Sequence, residues 1–179
     1  NDHLLIDAVK TGKPDIVFYV GAHKAPGNPR PETFAAIGRN VPLINLCSDA
    51  ADRPWHPVLI SYRKVFALQV AIDGGAPDAP VDLATLTPVD PRPFDGASAP
   101  RDIRCGFSGT VGRWNVRSET VLALEWFGGL KVRRRESAGA YGDHAVFLKR
   151  CRIMLNLSQT GSGHRHHVKG RVLEAGWAG

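Results

Sequence analysis

Lys169, Arg171 and Glu174 stand close together where a loop gives way to an amphipathic stretch, Val168-Lys-Gly-Arg171-Val-Leu-Glu174-Ala-Gly-Trp-Ala-Gly179. A helix opening at Gly170 or Arg171 would present unpaired backbone N–H groups and the positive end of its dipole. Two side-chain cations beside it make a site for a phosphate. A carboxylate such as Glu174 suits a sugar hydroxyl next to that phosphate. Glu174 follows Arg171 by three residues, so the two share a helix face. A plain ion pair on a solvent-facing helix start is the competing account. Val168, Val172 and Leu173 speak for a packed helix instead.

The preceding loop, Ser158-Gln-Thr-Gly-Ser-Gly-His-Arg-His-His167, is built of small and cationic residues. Small residues let backbone N–H groups approach a ligand, so Ser158 and His164 are read as contacts to a polyanion, with a merely solvated loop as the alternative. His164, His166 and His167 also invite a zinc reading. Their spacing is too crowded for one helix face and no acid or cysteine stands nearby, so no metal is expected. Ser108-Gly109-Thr110-Val-Gly112-Arg113 follows a strand but is neither a dinucleotide fingerprint nor a Walker loop. Gly109 and Arg113 are candidate ligand contacts, with an ordinary turn and a solvated arginine as alternatives. In the first half, Asp49 and Asp52 lie beyond a strand end near Arg53, Trp55 and His56, while His23 and Lys24 follow another strand. Asp49 and His23 are the candidate general bases. A polar loop position is the simpler account of each. Trp55 and Trp114 fit a core or cleft wall as well as a stacking platform.

These residues need elements to hold them. Residues 2–10 read as a helix stopped by Gly12. Ile16-Val-Phe-Tyr-Val20 reads as a strand buried on both faces. A Gly/Pro loop, a short helix from Glu32 to Arg39 and a second strand from Val41 to Cys47 follow. Further strands are expected at Val65–Ile72 and Leu83–Leu86. The alternation of strands and helices implies a parallel α/β sheet. Thr87 to Arg101 holds four prolines and is read as a linker with no regular element. Beyond it come a strand at Asp102–Phe107, a helix at Val116–Phe127 and a strand at Leu130–Arg134. A helix at Asp143–Arg150 capped by Asp143, a strand at Ile153–Leu157 and the final helix complete the pattern. The reading is therefore an N-terminal lobe (1–86), a linker (87–101) and a C-terminal lobe (102–179).

The chain has 179 residues, 43% of them hydrophobic and 22% charged, a balance that excludes a disordered segment. No apolar run reaches the length of a membrane helix. Asn1-Asp2-His3 lacks a signal-peptide profile and an initiator Met, so a fragment or processed product is expected. Cys47, Cys105 and Cys151 have no paired spacing. Free thiols in a reducing compartment follow, with a cytoplasmic location. The net charge of +6 suits an anionic ligand.

Pro88-Val89-Asp90-Pro-Arg-Pro-Phe94, Arg101-Asp102-Ile103, Phe107-Ser-Gly109 and Arg117 resemble the hinge and second-domain entry of GT-B glycosyltransferases. Ile153-Met-Leu-Asn-Leu-Ser158 through Lys169-Gly-Arg171-Val-Leu-Glu174-Ala-Gly-Trp-Ala-Gly179 is similar to the C-terminal signature of the CgeB-like, family-1-type glycosyltransferases. The resemblance is strongest over residues 100–179. It implies two Rossmann-like lobes facing a cleft, with a nucleotide-sugar donor held mostly by the C-terminal one. It places Lys169 and Arg171 on the diphosphate and Glu174 on the ribose or sugar. It implies no bound metal and no cofactor, the nucleotide-sugar being a substrate. The family carries a further glutamate beyond Glu174 and a longer chain, so both lobes are expected to be incomplete here.

The leading expectation is a glycosyltransferase, or a piece of one, acting on an unidentified acceptor hydroxyl. Sugar, nucleotide, stereochemical course and oligomeric state stay open. The alternative is a non-catalytic nucleotide- or nucleic-acid-binding α/β module. A nucleic-acid partner is not expected, because no basic patch interleaved with aromatics stands outside Arg133-Arg134-Arg135. A third reading is a metal-dependent hydrolase built on His164–His167.

Overall fold

The computed structural model describes residues 2–21, 28–96, 98–111, 116–134, 139–158, 168 and 170–179. The chain divides into two compact units, one running to Thr87 and including Val168, the other holding Pro88–Ser158 and the C-terminal helix. Both are α/β with parallel sheets.

The first unit orders its strands β1-β2-β3-β4: β1 (Val17–Val20), β2 (Leu43–Cys47), β3 (Leu68–Ala71) and β4 (Leu83–Ala84). Helix α1 (Asp2–Gly12) precedes β1, α2 (Pro31–Gly38) joins β1 to β2, and α3 (His56–Tyr62) joins β2 to β3. Phe34 and Ile37 of α2 and Val58 and Tyr62 of α3 pack with Leu43 and Phe66 into one core. Tyr19, Phe34, Tyr62 and Phe66 form an aromatic cluster, with ring centroids 4.7 Å apart for Tyr19 and Phe34. The central strands also bury a polar pair. Asn45 donates to Gln69 Oε1 at 3.3 Å, and Gln69 donates to the Leu59 carbonyl at 2.9 Å. That pair orients α3 on the sheet, since a buried amide must find partners.

Three readings need correction. β1 is an edge strand whose Tyr19 packs on the core while Phe18 and Val20 are exposed, so it is not buried on both faces. Residues 53–62, to which the sequence reading assigned no element, hold a 3₁₀ turn (Arg53–Trp55) and α3. Pro54 and Pro57 obscured this helix, yet both sit in first turns, where a missing N–H costs nothing. The proline-rich stretch is not a bare spacer. Asp90 accepts hydrogen bonds from the Arg92 backbone and guanidinium, and a 3₁₀ turn at Arg92–Phe94 follows. Phe94 is buried against Ala145 and Leu148 in the core of the second unit. A single large apolar side chain thus overrides four prolines.

The second unit orders its strands β6-β5-β7: β5 (Ile103–Ser108), β6 (Lys131–Arg133) and β7 (Cys151–Met154). Helix α4 (Val116–Phe127) joins β5 to β6, and α5 (Tyr141–Arg150) returns the chain past β5 to β7. Successive β5 residues face opposite helices, as strand pleating requires. Phe107 packs with Val121 of α4. A side chain at Gly106 would meet Phe147 of α5 and Met154 of β7 at 3.1 Å, so only glycine lets α5 lie this close. Ala140 occupies the N-cap of α5, and Asp143 sits inside the first turn without capping it. Helix α6 (Gly170–Trp177) ends the chain.

Candidate functional site

In an open α/β sheet, ligands bind beyond the carboxyl ends of the strands, where strand order reverses. The order β6-β5-β7 reverses between β5 and β7. A pocket of about 390 Å³ opens there. Ser108 and Gly109 line it from the end of β5, Arg133 from the end of β6, Tyr141 and His144 from α5, and Arg171 from α6. The N-cap of α5, Ala140, makes no side-chain cap hydrogen bond and also lines the pocket, so the positive end of the helix dipole borders it.

Arg171 is the central cation. Its guanidinium carbon lies 5.5 Å above the centroid of Phe107, and among the described residues the buried Nη1 has no hydrogen-bond partner. Burial pushes its pKa down, as does the charge of Arg117, while Glu174 opposes both. A β-carbon at position 109 would stand 2.5 Å from Arg171 Nη1, so glycine there is what admits the guanidinium. A buried N–H donor on a cation, at the rim of a cavity, suits an anionic ligand.

Behind the pocket lies a hydrogen-bonded chain. Ser108 Oγ is 3.3 Å from His144 Nδ1, and His144 Nε2 is 2.9 Å from Glu174 Oε2. The Tyr141 hydroxyl donates to the other Glu174 oxygen at 2.8 Å. Burial raises the Glu174 carboxyl, but the hydrogen bonds from His144 and Tyr141, with the nearby positive charge, outweigh it and hold the group below its ordinary value. Tyr141 is pushed up to about 12, first by burial and then by its bond to the Glu174 carboxylate. An ionised Glu174 can only accept, so Nε2 carries the proton. In the neutral ring Nδ1 is then the acceptor for the Ser108 hydroxyl.

The chain matches no family model, no curated protein and no solved structure.

Of the residues singled out from sequence, Gly109 and Arg171 line this pocket and Glu174 stands behind it, locked by two protein donors. Ser158 lies in the same unit, beyond β7, outside the pocket lining. Asp49 belongs to the first unit, in the turn after β2, a turn braced by a 3.1 Å contact between His56 Nε2 and the Ala50 carbonyl. His23, Arg113, His164 and Lys169 lie outside the described residues. Sequence reasoning missed His144, Tyr141 and Arg133 as individual site residues. One signal was present: Tyr141 and His144 are three apart at a helix start and share a face. Among the described residues, no group of three His, Cys, Asp or Glu is placed to hold a metal ion, and no helix is long and apolar enough to cross a membrane.

Proposed function

We propose that the second unit is the donor-binding lobe of a GT-B glycosyltransferase, which transfers a sugar from a nucleotide-diphosphate sugar to an acceptor hydroxyl. The observation that carries this reading is the buried, unpartnered Arg171 Nη1 in the pocket at the β5/β7 switch point. In the reading, Arg171 and Arg133 hold the diphosphate, joined by Lys169 on the sequence argument. The uncapped start of α5 adds its dipole. Fixed donors of this kind stabilise the charge that builds on a departing nucleotide diphosphate without a metal. Tyr141 and His144 present the donor sugar with polar groups held in place by Glu174. The acceptor-side base belongs to the first unit, with Asp49 and His23 as its candidates.

Calorimetric titration with UDP, GDP and dTDP, on the wild type and on Arg171→Ala, tests the reading. The expected result is binding by the wild type, weakened at least ~10-fold in the variant, the equivalent of one charge-assisted hydrogen bond. Equal affinity in both proteins removes Arg171 from the site. Binding without transfer of any sugar leaves a nucleotide-binding module.

A further inference from the structure

The chain Ser108–His144–Glu174 has the components of a nucleophile, its base and the group that orients the base. We propose that Ser108 is the nucleophile of an esterase activity in this pocket, directed at carboxylic esters that carry a negative charge. The proposal rests on the geometry of the pocket and not on the sugar-donor reading.

Five observations converge. Ser108 is only 8% exposed yet lines the cavity, which keeps bulk water from the hydroxyl while leaving a ligand access. His144 Nδ1, 3.3 Å away, is the ring nitrogen left as acceptor once Nε2–H is committed to Glu174 at 2.9 Å. Tyr141 holds the second Glu174 oxygen at 2.8 Å, so the carboxylate cannot turn away from the ring. Arg171 Nη1 has no partner among the described residues and stands over Gly109, the residue directly after Ser108. A donor in that place can meet the oxyanion formed when Ser108 is acylated. Arg133 supplies a second cation in the lining for the charge on the substrate.

In the step, Ser108 Oγ adds to the ester carbonyl carbon and its proton passes to His144 Nδ1. The carbon–oxygen bond to the alcohol then breaks, and the leaving alkoxide takes the proton from Nδ1. Water adds to the acyl-serine, gives a proton to Nδ1 and releases the carboxylic acid as Ser108 recovers its hydrogen. Glu174 stays ionised throughout and stabilises the imidazolium, and the same logic holds wherever a base is oriented by a third group.

The test uses the full chain and two probes: a fluorophosphonate, with the adduct mapped by mass spectrometry, and a pair of 4-nitrophenyl esters, the neutral acetate and the anionic hemisuccinate. The expected result is a stoichiometric adduct on Ser108, absent in Ser108→Ala, and about 100-fold slower labelling in His144→Gln. Faster turnover of the hemisuccinate than of the acetate is also expected. A urea midpoint of Ser108→Ala matching the wild type shows that lost labelling is not lost folding. Labelling of native Ser108 no faster than of the urea-unfolded chain overturns the proposal, as does wild-type ester hydrolysis by Ser108→Ala. The nucleotide titration is read separately, so absent labelling with intact UDP affinity sinks the esterase and leaves the donor site standing.

Discussion

Replacing Arg171 by Met separates ligand binding from stability, because the two should move in opposite directions. The methionine stem keeps most of the apolar length of the arginine side chain. What is lost is the guanidinium. Its buried Nη1 lacks a partner, a penalty of roughly 1–3 kcal/mol in the empty protein. Burial and the repulsion of Arg117 both disfavour the charged form. Against this stand the contact with the Phe107 face at 5.5 Å, worth ~0.5–1 kcal/mol, and the attraction of Glu174. The balance is a stabilisation of about 1 kcal/mol, or roughly 2–4 °C in Tm for a chain of this size. Differential scanning calorimetry without ligand reads the gain, and titration with orthophosphate or UDP reads the loss of binding in the same samples. A variant that melts lower than the wild type and still binds the anion would refute the reasoning. Arg171 would then be a structural cation whose partner is the protein itself.

Phe94→Ala should cost about 3 kcal/mol and several degrees in Tm, because Phe94 fills the core beside Ala145 and Leu148 and meets the Tyr141 ring edge-on at 6.0 Å. A spacer position would change stability by less than about 0.5 kcal/mol in the same urea titration. Acidification should unfold the second unit partly through Glu174. Its folded pKa lies below the ordinary 4.5, so the unfolded chain binds the proton more tightly, and the stabilisation present above pH 4.5 is lost as pH falls through the lowered value. Tyr141 has the opposite sign: its pKa rises from 10.0 to about 12, so its contribution is lost as pH climbs across that interval. Urea midpoints measured against pH should show both limbs, and Glu174→Gln should flatten the acid one; an unchanged acid limb counts against the hydrogen-bonded carboxylate.

Much of the secondary structure was legible because its causes are local. Val17–Val20, Leu43–Cys47 and Ile103–Ser108 are short apolar or mixed runs bounded by loop residues, and Val116–Phe127 carries a helical apolar period. Errors arose where a distant partner decided the outcome. Phe94 looked like linker until the second core claimed it, and α3 hid behind two prolines that mark its start. Asn45 and Gln69 lie inside runs read as strands, but their pairing across β2 and β3 was not legible there: both are buried, with Asn45 donating to Gln69.

The sequence by itself determined the alternation of strands and helices, and with it a parallel α/β architecture. It also determined where the concentrated charge at 169–174 falls relative to a helix start. Both follow from near neighbours in the chain, through side-chain periodicity and the unpaired groups of a helix terminus. Only the tertiary structure decided that Ser108, His144 and Glu174 meet. They are 36 and 30 residues apart, and no local rule links them. The crossover through α5 past β5 brings His144 to the end of that strand, and α6 then delivers Glu174 to the ring. Glu174 was legible as a carboxylate beside a cation, but its place behind the pocket follows from packing, because the fold brings its two oxygens to His144 and Tyr141.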